Sequence, residues 1–132
     1  MTLELVKDKN TIETEFKEAW LKAKPLLEKA IKHQKEYTID DIHDKISQGI
    51  FLLWPGKQSV MITEFIDFPR LRAMNLLFCG GDYEELASML PSLEAFAKNA
   101  GATKLFGGGR KGWLRKIKHL GFKPEYIISK EL

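Results

Sequence analysis

Residues 76–86 read LLFCGGDYEEL. An apolar run reaches two glycines and an acid, and then apolar positions recur at the spacing of a helix. This is the pattern of a strand that turns into a helix. Such a junction is either a tight turn or a cradle in which backbone N–H groups at the helix start hold a phosphate. The residues alone leave both readings open, and they decide what kind of sheet the chain builds.

Before the junction, IFLLW (50–54), the turn PGKQ (55–58) and SVMITEFIDF (59–68) predict an antiparallel hairpin. After a second turn at Pro69 and Arg70, LRAMNLLFC (71–79) extends the hairpin to a three-stranded meander. After the junction, Tyr83, Leu86, Ala87, Leu90, Leu93, Ala97 and Ala100 follow the helical period, with Pro91 as a bend and Gly101 as a stop. TKLF (103–106) then predicts a short strand ended by Gly107, Gly108 and Gly109. KGWLRKIKHL (111–120) predicts a basic helix stopped by Gly121, and EYIIS (125–129) a last strand.

Upstream, TLELVK (2–7) reads as a first strand. Asn10 and Glu13 form a capping pair for a helix running to about His33, marked by Phe16, Trp20, Ala23 and Leu27 and kinked at Pro25. Thr38 with Asp41 caps a second helix bearing Ile39, Ile42 and Ile46, which ends at Gly49. The order is β-α-α-β-β-β-α-β-α-β. An antiparallel meander followed by a helical crossover predicts a mixed, mostly antiparallel sheet flanked by helices, an α/β (α+β) fold in one domain spanning 1–132.

The chain has 132 residues, 44% of them hydrophobic, which suits one domain with its own core and argues against compositional disorder. No apolar run approaches the roughly 18 residues of a membrane span. The N-terminus lacks a signal-peptide pattern, so a cytoplasmic location is the default. A single cysteine, Cys79, excludes an internal disulfide. It is either a small packed hydrophobe or a nucleophile still in need of a base. His33, His43 and His119 are scattered, with no metal-ligand spacing. Net charge is +3, yet residues 110–123 alone carry six Lys or Arg and no acid, leaving the remainder at −3. That segment is a solvated helix face, or a contact for a phosphate-bearing cofactor, nucleic acid or an acidic protein. Nucleic acid is the weakest of these, because the patch is small and matches no recognised motif.

The stretch LPSLEAFAKNAGATKLF…GWLRKIKHLGF resembles the GNAT superfamily of acyl-CoA-dependent N-acetyltransferases, in which a helix, A-x-x-x-G-A, a short strand, another helix and L-G-F recur. The likeness covers the element order of nearly the whole chain, and the motifs of residues 76–123. TIDDI, LPSLEAFAK, GRKGW and the terminal SKEL also resemble small GNAT-like proteins of tailed phages. The resemblance implies an N-acetyltransferase using acetyl-CoA. Its alternative is a non-catalytic virion-associated or assembly protein, partnered by a phage structural protein in the host cytoplasm or the virion.

In that family, the loop after the central strand donates N–H groups to the CoA pyrophosphate. Here Phe78, Cys79, Gly80, Gly81 and Asp82 correspond to it, and Arg110, Lys111 and Trp113 are the further cofactor candidates. The loop is shortened to a Gly-Gly pair without its leading basic or amide residue. Asp82, Glu84 and Glu85 crowd the helix start. One such carboxylate about 4 Å from a phosphate costs on the order of 4 kcal/mol at an effective dielectric near 20. Arg70, Arg72 and Arg110 are candidates for compensating charge. Counting back from L-G-F, Arg110 takes the family's Asn position, Trp113 its Ala position and Ile117 the position of a frequent general-acid tyrosine. Trp113 either closes the groove of the pantetheine arm or anchors the core. Glu64, an acid on a strand face shared with Val60, Ile62 and Ile66, is the candidate general base, or else a charge at the sheet rim.

Overall fold

In a computed structural model the description covers residues 9–108 and 115–132, with side chains from residue 11. The elements are α1 (Lys9–Ala30), α2 (Ile39–Ser47), β1 (Leu52–Pro55), β2 (Ser59–Asp67), β3 (Arg72–Gly81), α3 (Tyr83–Asn99) and β4 (Ala102–Gly107). The sheet order is β1-β2-β3-β4. The first three strands are antiparallel, and β4 lies parallel to β3. The chain is thus a mixed α/β domain with a mostly antiparallel sheet and flanking helices. The meander, the crossover helix and the strand after it stand where the sequence places them.

Alternation along β2 divides the core. Val60 and Ile62 point to α1 and α2, packing with Trp20, Ala23, Leu27, Ile42 and Phe51. Met61, one residue out of phase, points to α3 with Met74, Leu86, Leu93 and Ala97. This two-faced burial explains the near-continuous apolar character of β2. Thr63 is fully buried, and its Oγ1 accepts from Trp54 Nε1 at 2.9 Å.

The Thr38–Asp41 pair closes a reciprocal cap: Asp41 N–H donates to Thr38 Oγ1 at 3.1 Å, and Thr38 N–H to Asp41 Oδ2 at 2.9 Å. His43 packs 5.0 Å from the Trp20 ring. Both α1 and α3 continue through their prolines, Pro25 and Pro91.

Three expectations are corrected or fall elsewhere. EYIIS forms no strand: residues 122–132 have no regular structure. Strand-favouring residues make a strand only where another strand offers its backbone groups, and none of the described strands pairs there. The basic helix is described only from 115, as a helical turn to 117 and a 3-10 turn at Lys118–Leu120. The strand expected at 2–7 and the side chain of Asn10 lie outside the described residues.

Candidate functional site

The junction that opened the sequence lies at the C-terminal end of β3. Gly80 and Gly81 are strand residues, paired with Val60 and Ser59 of β2, rather than loop residues. One step of β2 leads from Ile62 to Thr63, but two steps of β3 separate their partners Phe78 and Leu76, so Leu77 is the extra residue of a β-bulge. The last partner of β4 on β3 is also Leu76, opposite Gly107. Beyond that point, residues 77–81 have no described strand on their β4 side.

Both glycines have a steric reason. A Cβ on Gly80 would lie 2.8 Å from the Leu26 carbonyl oxygen of α1. Gly81 has φ +107°, and a Cβ there would run into the Gln58 carbonyl oxygen and stand 2.6 Å from Ser59 Cα. Helix α1 and the β1–β2 turn are packed onto the backbone of this strand end.

The acids behind the glycines also have partners. Asp82 is the N-cap of α3, accepting from Glu85 N–H at 2.9 Å, and its own N–H donates to Gln58 O at 3.3 Å. The Glu85 carboxylate reaches back to the β1–β2 turn, accepting from Lys57 N–H at 2.9 Å, Gln58 N–H at 2.8 Å and the Ser59 hydroxyl. The Ser59 hydroxyl and then the Gln58 N–H hold Glu85 below the ordinary 4.5; desolvation opposes them, while Lys57 N–H and the Lys22 charge add to the lowering. Carboxylates of this chain thus already accept the Glu85, Lys57 and Gln58 N–H groups beside the helix start.

The lowered pKa fixes a pH dependence. Because the folded value is the lower one, stability is present above the ordinary carboxylate value and is lost as pH falls through the folded value. Asp41 works in the same direction, through the backbone and then the side chain of Thr38. Glu85→Gln is expected to lower the melting temperature at neutral pH, with the gap to the native chain closing once pH drops below 4.5. Thermal melts from pH 7 to 3 read this; a gap that does not change with pH contradicts it.

Burial pushes the Cys79 thiol up to about 11. At pH 8 that leaves roughly one thiol in a thousand ionised. Folded protein is therefore expected to react with a disulfide reagent at pH 8 orders of magnitude more slowly than unfolded protein, and equal rates would contradict the burial.

The other sequence candidates are spread out. Glu64 pairs with Asn75 across the strands, accepting from its Nδ2 at 3.1 Å. Asn75 stands five residues before Gly80 on β3, about 16 Å along the strand. Arg72 lies nine residues before Gly81, about 30 Å away. Its Nη1 donates to Ala100 O at 2.9 Å, its guanidinium covers the Phe65 ring at 4.1 Å, and its Nε lies 3.0 Å from Asp67 Oδ1 without hydrogen-bond alignment. Arg70, just before β3, is at the same far end, so neither arginine offsets the acids at 82–85. Arg110, Lys111 and Trp113 lie outside the described residues. Ile117, half-buried, offers no proton.

Sequence reasoning missed Tyr83. Its hydroxyl donates to Lys116 O at 2.7 Å, and Lys116 Nζ lies 5.2 Å from its ring centroid. This contact holds the basic segment beside the start of α3. The only sequence signal was an aromatic residue at the first helical position. Among the described residues, no group of three or more His, Cys, Asp or Glu could hold a metal ion, and no helix is long and apolar enough to cross a membrane. Comparison with family models, with curated proteins and with solved structures returned no match.

Proposed function

We propose that this chain is a GNAT-like domain used for binding rather than acetylation, acting in tailed-phage particle assembly or as a virion-associated component. The observation that carries the non-catalytic reading is the placement of the Asp82 and Glu85 carboxylates at the α3 start, with Gly80 and Gly81 backed by α1 and the hairpin. Acetyl transfer to an amine also needs a base for the amine proton and a donor for the departing thiolate. Glu64 is bonded to Asn75, Ile117 has no acidic proton, and the half-buried Cys79 thiol is held neutral by desolvation. The GNAT-like part is supported by the α-α-β-β-β-α-β order, the single parallel pair β3/β4 and their parting beyond Leu76. The phage assignment is supported by the resemblance of TIDDI, LPSLEAFAK, GRKGW and SKEL. The partner surface in this reading is the basic segment, where Arg115, Lys116 and Lys118 are exposed, matched to an acidic protein. Mass spectrometry of purified particles and assembly intermediates should find this chain in fixed proportion; its absence from both would sink the proposal.

One observation favours acetyl-CoA as a second reading. On its β4 side, β3 from Leu77 to Gly81 has no described strand, which is the opening where such a fold would take the pantetheine arm. Isothermal titration separates the two readings. A protein-binding domain whose β3 end is filled by its own groups predicts no heat at millimolar acetyl-CoA, whereas the second reading predicts a saturable isotherm.

A further inference from the structure

Two features of the C-terminal half complement each other. β4 is the last strand of the sheet, and no described strand pairs with its outer edge. An unpaired edge offers a row of N–H and C=O groups to any extended segment. The stretch Glu125–Ser129 is such a segment, rich in residues that favour strands, yet Tyr126, Ile127 and Ile128 are 88%, 95% and 95% exposed. A polar contact joins the two: Lys104 Nζ lies 2.9 and 2.8 Å from the two Glu125 carboxylate oxygens. Glu125 thus already reaches β4 of its own chain, and the three apolar side chains that follow still gain no cover from it.

We infer that residues 125–129 add as a fifth strand to the β4 edge of a second copy of this chain, reciprocally. The register follows from charge. Setting Glu125 opposite Lys104 of the second copy in a parallel pairing brings Tyr126 opposite Leu105 and Ile127 opposite Phe106. An antiparallel pairing from the same anchor would set them against Thr103 and Ala102 instead. Aromatic and β-branched neighbours across strands favour the parallel choice, and β4 is already parallel to β3. Five residues span about 17 Å, close to the length of the six-residue edge. Two arms, each covering an aromatic and two isoleucines, bury on the order of 1,000 Å² in total, near the lower end for stable interfaces.

The experiment uses the full chain with Cys79→Ser. Lys104→Cys and Glu125→Cys are placed on separate chains, mixed and oxidised, while light scattering gives the mass of the native chain over a concentration series. The expected result is a dimer mass and a disulfide-linked mixed dimer. Ile127→Asp with Ile128→Asp should return the mass to monomer and abolish the cross-link while leaving the melting temperature of the domain in place, because these side chains are exposed in the single chain. Monomer mass throughout overturns the inference. So does a cross-link that forms only when both cysteines share one chain, which marks an internal strand. A dimer that forms without the mixed cross-link, or survives the double Asp variant, overturns the assignment of the arm.

Discussion

Gly81→Ala is expected to destabilise the protein by about 3–5 kcal/mol, a large effect for one methyl group. Two costs add. The residue has φ +107°, where an L side chain is strained. The new Cβ also meets backbone, the Gln58 carbonyl oxygen and Ser59 Cα, which cannot swing aside as a flexible side chain would. Relief would require the β1–β2 turn to move, and that turn is tied to α3 through the Glu85 hydrogen bonds. In thermal melts the loss corresponds to roughly 10 °C or more for a domain of this size. Gly108→Ala is the control: a Cβ there meets nothing within 4 Å, and its melting temperature should match the native chain. If Gly81→Ala melts with the native protein, the strand end is roomier than described, and space for a phosphate reopens.

Leu27→Ala carries the second large effect, expected at about 3–5 kcal/mol in urea unfolding. Leu27 is fully buried between α1 and the sheet face bearing Val60 and Ile62. Removing its side chain loses transfer energy and leaves a cavity among well-packed neighbours. Leu21 of the same helix is 62% exposed, and Leu21→Ala should cost within about 0.5 kcal/mol. The contrast tests which face of α1 meets the sheet. It also bears on the site, because the neighbouring residue Leu26 supplies the carbonyl that backs Gly80. Equal costs for the two leucines would contradict this packing.

Much of the fold was legible because local chemistry and tertiary packing agree there. The Thr38–Asp41 cap, the turn at Pro55–Gln58, the meander and the switch to helical period at Tyr83 each rest on short-range rules that the packing reinforces. The site was less legible because its geometry is set by distant partners. Glycines after an apolar run look alike whether they cradle a phosphate or admit a neighbouring backbone. Only the approach of Leu26 and Gln58, more than 20 residues upstream, distinguishes them. Glu85 read as one of three acids at a helix start, and nothing in its neighbours announced that it would bind a turn 27 residues earlier. Arg72 read as a nearby cation, yet the length of β3 carries it to the other end of the sheet. EYIIS has a strand's composition, but a strand is a property of a pair, and one sequence shows only one member.

The central claim is that the chain's own groups already fill the end of β3 and the start of α3. Its most direct test is an amide-resolved NMR titration of labelled protein with acetyl-CoA, following the N–H signals of Gly80, Gly81 and Asp82. A calorimetric signal alone would not locate the ligand, whereas these amides mark the junction at which a GNAT-like reading of the chain sets the pyrophosphate. No saturable shift at any of the three through millimolar ligand is the predicted result. Saturable shifts centred on Gly80 to Asp82 would contradict it and return the junction to a cofactor site.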